Sequence, residues 1–430
     1  MADSSLAPAL VMNMFYTGLG IARTLGERGI PVIGLSANKG IYGNSTRFAK
    51  TVFCPDSRNS PHELLERFLE IGRTLPRRGV IFPTRDDDVV FLDRFRRELE
   101  KFFSLVVPAS PVVRTALSKW HTYRAAVAAG VATPRCWLLT GTEQLKQVAD
   151  EMTLPVVLKP DSSHHWRLGS NWEIVGGRKA VPVASKEELI RAYAELARAR
   201  VPVLAQELIP GTDQMLVITA CYLDRHSNWL ASFQTQKLLQ SPDAFGTGTI
   251  VQAVERPELL EPTRQLLQSM CYTGIAEVEY KWHAGKNEFQ LIEINPRPWD
   301  QHRLGLACGA DLIYLAYCEH AGIPLPPVRN VTSAQKWIAE DSLLLAVLRM
   351  IWRRDPRLGT IFQLVRGKRL YAISSMRDPM PALAYFTTRF APGLVASAAR
   401  FIGAALRPAK HGGVERSAMK SPLEKGKSHV

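Results

Sequence analysis

An apolar stretch near residue 290 carries two oxygen-bearing side chains at alternate positions. Glu293 and Asn295 lie among Leu291, Ile292 and Ile294, and side chains two residues apart in a strand project from the same face. Carboxylate and amide oxygens are the ligands that Mg²⁺ prefers, and Mg²⁺ usually shares its coordination with substrate phosphates. The spacing therefore predicts a strand that binds a hard metal ion.

A third acid comes from the preceding stretch. Residues 274–282 alternate as a strand does and place Glu277 and Glu279 on one face. Residues 283–287, HAGKN, have the composition of a hairpin turn, so we expect antiparallel strands that bring Glu279 close to Glu293. Each glutamate by itself is also compatible with a solvated strand face. The predicted metal ligands are Glu279, Glu293 and Asn295.

These stretches resemble the metal-binding end of the ATP-grasp superfamily, in which an acidic strand is followed by E-x-N-x-R. The sequences EYK at 279–281 and LIEINPRPW at 291–299 carry the resemblance. It covers roughly the first three quarters of the chain and is strongest to the carboxylate–amine ligases. The fold class that it implies is α/β (α+β). The implied parts are a Rossmann-like pre-ATP-grasp domain over 1–110, an ATP-grasp domain of two lobes with the nucleotide between them over 111–328, a C-terminal extension over 329–407 and a disordered tail over 408–430.

Two lysines stand where the superfamily binds the nucleotide phosphates. Lys159 lies in the apolar strand LPVVLKP, where an unpaired ammonium group is costly and a phosphate would compensate it. Lys119 follows the first of two short predicted helices over 111–129, and by itself it is equally typical of a surface lysine. The superfamily places a glycine-rich lid after the second lysine. Here residues 161–169, DSSHHWRLG, contain one glycine, which departs from that pattern.

The stretch VLAQELIPG at 203–211 resembles the strand of the superfamily that contacts the adenine. The resemblance implies that backbone groups of Glu207, Leu208 and Ile209 bind the base and that Asp213 binds the ribose. Asp213 is equally typical of a turn residue.

Two further cations are the predicted catalytic residues. Arg297 follows the metal-binding strand, where it can neutralise charge on a phosphoryl group in transfer. Lys237 opens the segment KLLQSPDAFGTG, which is rich in turn-forming residues and is predicted to be a loop. Because loops on such scaffolds carry specificity, Lys237 is expected to bind a phosphate or the substrate carboxylate.

The N-terminal residues predict a β-loop-α-β unit that helps to hold the acid substrate. A strand over 10–14, a loop at Gly18-Leu19-Gly20 and a helix over 21–28 precede a strand over 31–35. A third glycine and an acid after the second strand are missing, so NAD binding is not expected.

A further buried strand ends before Thr84, Arg85 and Asp86, which are expected to face the ligand crevice. The alternative for the acids at 86–88 is to cap the helix predicted over 89–102, and we expect two of the three to do so.

Composition restricts the partners. The 430 residues carry a net charge of +14, but no basic run is interleaved with aromatic residues, so nucleic acid is not an expected partner. Six scattered cysteines without a CxxC pair, no apolar stretch of membrane-spanning length and no signal-peptide pattern favour a cytoplasmic location. The apolar and basic segment 381–407 either contacts an anionic membrane surface weakly or packs on the protein body.

The resemblance implies an ATP-dependent ligase that joins small-molecule carboxylate and amine substrates through an acyl phosphate and releases ADP and phosphate. The implied cofactors are ATP and Mg²⁺, with Mn²⁺ as an alternative metal. A thiol or bicarbonate partner stays open, and so does a non-catalytic or regulatory ATP-binding protein at a membrane. The acid, the amine and the oligomeric state are not predicted.

Overall fold

The computed structural model describes residues 6–242, 246–329 and 331–390. The chain up to Tyr385 forms one compact unit, and a second unit begins at Phe386. Of the second unit a single π-helical turn is described, Phe386–Phe390. Residues 391–407 of the expected membrane-contacting segment and the expected disordered tail lie outside the described residues.

The first sheet is parallel, as the β-loop-α-β pattern predicts. Its elements are β1 Ala9–Met12, α1 Tyr16–Gly26, β2 Val32–Ser36, β3 Lys50–Phe53, α2 Pro61–Thr74, β4 Gly79–Phe82, α3 Asp86–Arg94, α4 Arg96–Leu99 and β5 Phe103–Leu105. The strand order is β3-β2-β1-β4-β5, and every neighbouring pair is parallel. The order therefore reverses between β1 and β4, which is where open α/β sheets form a ligand crevice.

The two glycines at 18 and 20 lie inside α1, so the predicted loop there is wrong. A Cβ atom at Gly18 would stand 1.9 Å from the carbonyl oxygen of Asn13. Glycine at this position lets the helix start against the end of β1, and the GxG pattern reflects close packing.

The second sheet is antiparallel and has four strands. Its elements, preceded by two helices, are α5 Ser110–Leu117, α6 Lys119–Ala128, β6 Cys136–Leu139, α7 Thr142–Val148, β7 Val156–Pro160, α8 Ser163–Trp166, α9 Asn171–Ile174, β8 Val181–Val183, α10 Lys186–Leu196 and β9 Val203–Glu207. The strand order is β6-β9-β7-β8. The two short helices predicted over 111–129 are confirmed as α5 and α6.

The third sheet has seven strands. Its elements, with the last helix, are β10 Leu216–Leu223, β11 Trp229–Ser241, β12 Thr247–Val254, α11 Leu260–Ser269, β13 Gly274–His283, β14 Glu288–Asn295, α12 Leu304–Ala307, α13 Leu312–Ala321, β15 Lys336–Ile338, α14 Glu340–Arg353, α15 Ile361–Val365, β16 Arg369–Tyr371 and α16 Met380–Tyr385. The order is β14-β13-β10-β11-β12-β15-β16. Strands β15 and β16 come from the expected C-terminal extension but continue this sheet, and the domain boundaries at 110 and 328 stay predictions.

At both described ends of the segment 237–248 the chain is strand, so the predicted loop is wrong for residues 237–241 and 247–248. Strand β11 continues to Ser241, and its pairing with β12 shifts between Lys237 and Leu239. Such a bulge changes the direction of neighbouring side chains. Leu239 is consequently buried in a small core under α14, and Lys237 lines the cavity described below.

The helix predicted over 89–102 begins earlier and is interrupted. It starts at Asp86, and α3 is separated from α4 at Phe95. Asp88 caps its start, because its carboxylate accepts the backbone N–H groups of Thr84 and Arg85.

The largest apolar core joins the first and third sheets. It contains Val11 and Leu19 from the first sheet and its helix, and Ile218 and Phe233 from the third. This packing holds the carboxyl ends of β1 and β4 against the third sheet. No helix in the described part of the chain is long and apolar enough to cross a membrane.

Candidate active site

The predicted acidic hairpin is confirmed. Strands β13 and β14 are antiparallel, with Glu279 directly opposite Glu293 and Glu277 opposite Asn295. The Asn295 amide nitrogen lies 3.2 Å from Glu293 Oε1 and 3.1 Å from Glu277 Oε2. Local alternation places all four side chains on one face.

Arg297 connects this hairpin to the first sheet. Its Nε donates to Asp86 Oδ1 at 2.7 Å, and Asp86 is the first residue of α3, beyond the end of β4. Close by, the Thr17 hydroxyl at the start of α1 donates to Asp300 Oδ1 at 2.7 Å. The crevice between β1 and β4 therefore opens onto the end of β14.

The acids of the hairpin differ in protonation. Burial raises the pKa of Glu277 to about 8. Burial also acts to raise the pKa of Glu293, but the charges of Lys119 and Lys159 outweigh it and lower that pKa to about 2. Near neutral pH, Glu293 is ionised and Glu277 carries a proton.

Both predicted phosphate lysines reach the same region. Lys119 Nζ lies 3.2 Å from Ser163 Oγ, and Lys159 Nζ lies 2.8 Å from the Tyr123 hydroxyl. Burial, followed by the charge of Lys119, lowers the pKa of Lys159 to about 8. Sequence reasoning missed Tyr123, whose position on α6 carries no distinguishing pattern. Its hydroxyl also lies 2.6 Å from Gln206 Oε1.

Lys237 forms an ion pair with one of the predicted metal ligands. Its Nζ lies 2.6 Å from Glu279 Oε2. Burial lowers the pKa of Lys237, but Glu279 more than offsets this, and the net shift is upward. The Lys237 ammonium group therefore already pairs with one of the predicted metal ligands.

The strand end expected to contact adenine is only partly available. The Glu207 carboxylate faces away from the cavity, where it accepts the Arg135 N–H at 3.3 Å. The Leu208 N–H donates to the Pro155 carbonyl oxygen at 3.0 Å. Within the described ranges, the Ile209 N–H has no hydrogen-bond partner, so it is the donor left for a base.

Asp213 lies at the mouth of the same region. Its Oδ1 accepts a hydrogen bond from the Gln240 side-chain amide at 2.8 Å. Lys281, whose Nζ donates to the Ile209 carbonyl oxygen at 2.7 Å, also lines the cavity. Asp213 thus holds a carboxylate at the cavity wall, where its ribose role stays a prediction.

The segment 161–169 forms a helical turn, α8, in place of a glycine-rich loop. Ser163, Trp166 and Arg167 line the cavity, whereas His164 turns to the first sheet and hydrogen-bonds Asp87. The Asp87 carboxylate also pairs with Arg58, and these partners hold the pKa of Asp87 low against the effect of burial. The segment is therefore attached to α3, beside the first sheet, through the hydrogen bond between His164 and Asp87.

One cavity of about 680 Å³ receives these side chains, a volume usual for a small-ligand site. Glu207 is the one predicted site residue that does not line it. Sequence reasoning missed Lys179, which no local pattern marks, and Asp300, whose signal was its position three residues after Arg297. The predicted residues that line the cavity are Lys119, Lys159, Leu208, Ile209, Asp213, Lys237, Glu279, Glu293, Asn295 and Arg297.

The donor set at the hairpin fits a hard divalent cation. Among the residues that the structure describes, no group of three or more His, Cys, Asp or Glu side chains is spaced to hold a metal. The set expected here is different, with two facing carboxylates, Glu279 and Glu293, and the amide of Asn295. Mg²⁺ that is held partly by substrate phosphates requires only one or two protein carboxylates.

Comparisons with known proteins identify the architecture. No protein-family model matches the sequence. A D-aspartate ligase from Enterococcus faecium (strain Aus0004) is 26% identical over 147 residues, which is 33% of this chain and 34% of that protein, so the match spans about a third of the relative's length.

Solved structures match over a larger part of the chain. The biotin carboxylase domain of Hydrogenobacter thermophilus 2-oxoglutarate carboxylase, solved with MgADP, ADP and bicarbonate, has a TM-score of 0.60 and 19% identity, covering 75% of this chain and 71% of that chain. The ADP complex of PurK, an N5-carboxyaminoimidazole ribonucleotide synthetase, has a TM-score of 0.60 and 16% identity, covering 81% and 85%. At these identities the matches establish the fold alone.

Proposed function

Because this chain has the ATP-grasp fold that its motifs predicted, we propose that it is an ATP-dependent carboxylate–amine ligase. The observation that carries the proposal is one cavity in which the facing pair Glu279 and Glu293 meets the ammonium groups of Lys119 and Lys159. Acids that bind a metal and cations that bind phosphates are both needed for phosphoryl transfer, which depends on positioning and charge neutralisation.

The nucleotide is proposed to lie between the second and third sheets. The free N–H of Ile209 suits an adenine acceptor, and Asp213 suits a ribose hydroxyl. Lys119 and Lys159 neutralise the phosphates, and a bound phosphate offsets the unfavourable effect of burial on the Lys159 ammonium group. The two matched structures are complexes with MgADP and ADP, which supports the proposal of a nucleotide site in this chain.

Glu279, Glu293 and Asn295 would hold Mg²⁺. When bound, the ion neutralises phosphate charge and polarises the phosphorus–oxygen bonds of ATP. Glu293 is ready for this role because it is already ionised. Glu279 must exchange its ion pair with Lys237 for the metal, which frees the Lys237 ammonium group for a substrate carboxylate.

The acid substrate is proposed to lie by Arg297, between the acidic hairpin and Asp86. Its carboxylate oxygen attacks the γ-phosphorus of ATP, the bond from that phosphorus to the bridging oxygen breaks, and ADP leaves with the electron pair. Arg297 and Lys237 stabilise the negative charge on the acyl phosphate. The cavity is partly open, so keeping water from that reactive intermediate would depend on the bound substrates filling it.

Asp300 is the proposed acceptor for the amine. It lines the cavity, burial raises its pKa, and its carboxylate accepts a hydrogen bond from the Thr17 hydroxyl. The amine nitrogen attacks the acyl carbon, phosphate departs, and a proton from the nitrogen passes to the Asp300 carboxylate. A carboxylate with a raised pKa is a better base, so Asp300 suits the one proton that a neutral amine loses when it forms the amide.

An ADP-release screen of the purified chain tests the proposal. Mg-ATP is supplied with pools of acids crossed with pools of amines, and both enantiomers of aspartate are included because the partial relative is named a D-aspartate ligase. We expect ADP to form when both substrates are present, with a condensation product by mass spectrometry. The Glu293→Ala variant is the control and should form no ADP.

Two other outcomes identify the alternatives. ADP formation that requires bicarbonate would identify a carboxylating enzyme, which the bicarbonate in the first matched structure favours. ATP binding without ADP formation under any mixture would refute the ligase and favour a non-catalytic protein. The observation that favours this second alternative is α8, a helical turn that stands in place of the glycine-rich lid expected over the phosphates and is hydrogen-bonded to Asp87.

A further inference from the structure

Helix α14 has apolar side chains on two opposite faces. Ala346 and Met350 are buried in the small core beneath the helix. Leu345, Leu348 and Trp352 are three, four and seven residues apart, so they share the other face, and Trp352 is 74% exposed. A helix that is apolar all round is normally covered on both sides.

The next helix repeats this arrangement. Ile361, Leu364 and Val365 of α15 pack on the same small core, while Phe362 remains 75% exposed. Two neighbouring helices therefore hold one core and leave large apolar side chains outside. We call these side chains the 345–362 surface, which consists of Leu345, Leu348, Ile351, Trp352, Leu358 and Phe362.

The charges around this surface are almost all positive. The one acid between 342 and 371 is Asp355, which pairs with Arg357. The two acids at the start of α14 are used by the protein body, because Glu340 accepts the Ile373 and Ser374 N–H groups and Asp341 hydrogen-bonds Tyr16. The basic residues in the segment are Arg349, Arg353, Arg354, Arg357, Arg366, Lys368 and Arg369.

We propose that the 345–362 surface binds the face of an anionic lipid bilayer. Apolar side chains among Arg and Lys are the composition by which a helix lies in a membrane interface, with its rings at the headgroup level and its cations on lipid phosphates. Long Arg and Lys side chains reach outward while their methylene groups cover apolar surface. The chain binds in this way without crossing the bilayer.

Charge complementarity selects this occupant over the alternatives. The segment 391–430 has the same sign of charge as the surface, with acids only at Glu415 and Glu424, so its charge is not complementary to the surface. A second copy of the chain would bring the same cations face to face. The basic residues of 391–430 are Arg400, Arg407, Lys410, Arg416, Lys420, Lys425 and Lys427.

Vesicle co-sedimentation of the full-length chain tests the proposal. Vesicles of phosphatidylglycerol with phosphatidylcholine should bind the protein at low salt, pure phosphatidylcholine vesicles should bind it weakly, and high salt should weaken binding to the anionic ones. The double variant Trp352→Ala/Phe362→Ala should lose about tenfold or more in binding. Phe53→Ala, which removes a half-exposed ring from β3, is the matched control and should bind as the wild type does.

A charge-reversal pair separates the electrostatic part. Arg366→Glu/Lys368→Glu should reduce binding to anionic vesicles and remove most of its salt dependence, whereas Arg73→Glu/Arg77→Glu, at exposed positions near the end of α2, should not. All substituted side chains are exposed, so unfolding temperatures should stay close to that of the wild type.

Three results would overturn the proposal. Equal binding to neutral and anionic vesicles would contradict the role of charge. Unchanged binding of both double variants would assign any membrane contact to another part of the chain, such as 391–430. A loss of self-association in the Trp352→Ala/Phe362→Ala variant without vesicles would make the surface an interface between copies.

Discussion

Raising the pH should weaken nucleotide binding through Lys159. Its pKa is lowered from 10.5 to about 8, chiefly by burial and then by Lys119. At about 1.4 kcal/mol for each pKa unit, the surroundings disfavour the protonated form by on the order of 3 kcal/mol. A phosphate beside the ammonium group offsets part of this cost, so the nucleotide binds the protonated form more tightly.

The pKa of Lys159 sets the sign and size of the pH effect on the Kd of ADP. Below pH 8 Lys159 is already protonated in the free protein, so the Kd of ADP should not change with pH through this group. Above pH 8 binding requires proton uptake, and the Kd should rise by up to about tenfold for each pH unit. Lys159→Met should raise the Kd at pH 7 by about ten- to a hundredfold, which is the usual size of a hydrogen bond to a charged group, and should flatten the profile above pH 8.

Isothermal titration calorimetry with Mg-ADP measures both effects, and two buffers of different ionisation enthalpy count the protons. Glu277 titrates in the same range, so Glu277→Gln is the matched control and should keep the pH dependence. A Kd that stays constant from pH 7 upward, or a Lys159→Met variant with the wild-type slope, would refute the reasoning.

Three further predictions concern single side chains. Glu293→Ala should abolish ADP formation, because it removes an ionised carboxylate from the proposed metal site. The circular dichroism spectrum and the unfolding temperature should stay close to those of the wild type. Normal turnover would contradict the site assignment. Asp86→Asn breaks the ion pair to Arg297 and should raise the KM for the acid by about ten- to a hundredfold with little change in the Kd of ADP; an equal loss in both would assign it a structural role. Arg23 and Asp378 form a buried ion pair between α1 and the segment after β16. Asp378→Asn leaves Arg23 without a counter-charge and should lower the free energy of unfolding, measured by denaturant titration, by about 3–5 kcal/mol. A loss below about 1 kcal/mol would contradict this.

The acidic hairpin was predictable because its information is local. Alternation of polar and apolar residues fixes which side chains share a face, and a short turn predicts the antiparallel pairing. The exact partner was not predictable: the pairing at the turn would place Glu279 opposite Ile292, and a register shift between Glu279 and Tyr280 places it opposite Glu293. The same reasoning places Gln206 inside and its neighbour Glu207 outside at the end of β9. The prediction for Glu207 concerned its backbone, and side-chain alternation explains why its carboxylate does not reach the cavity.

Local composition gave a wrong prediction for the residues after Lys237, where strand pairing in the third sheet determines the structure. The turn formers after Lys237 favoured a loop, yet the chain stays extended to Ser241, because β12 pairs with it up to that residue although β10 pairs only as far as Gln236. The bulge beyond Lys237 then directs that side chain to Glu279, and no local pattern encodes a bulge at that residue.

The sequence by itself indicated the groups of the proposed site: the acidic hairpin, Lys119, Lys159 and the arginine that follows β14. The tertiary structure alone decided how these groups are paired. Arg297 hydrogen-bonds Asp86 and Thr17 hydrogen-bonds Asp300 because the edge of the first sheet at β1 and β4, where the strand order reverses, packs against the third sheet. The partners in these two pairs are more than 200 residues apart, so local periodicity does not predict their contact, which depends on how whole sheets pack. The exposed apolar surface of α14 is likewise recognisable only from the structure, because the structure shows that the opposite face of the helix is buried.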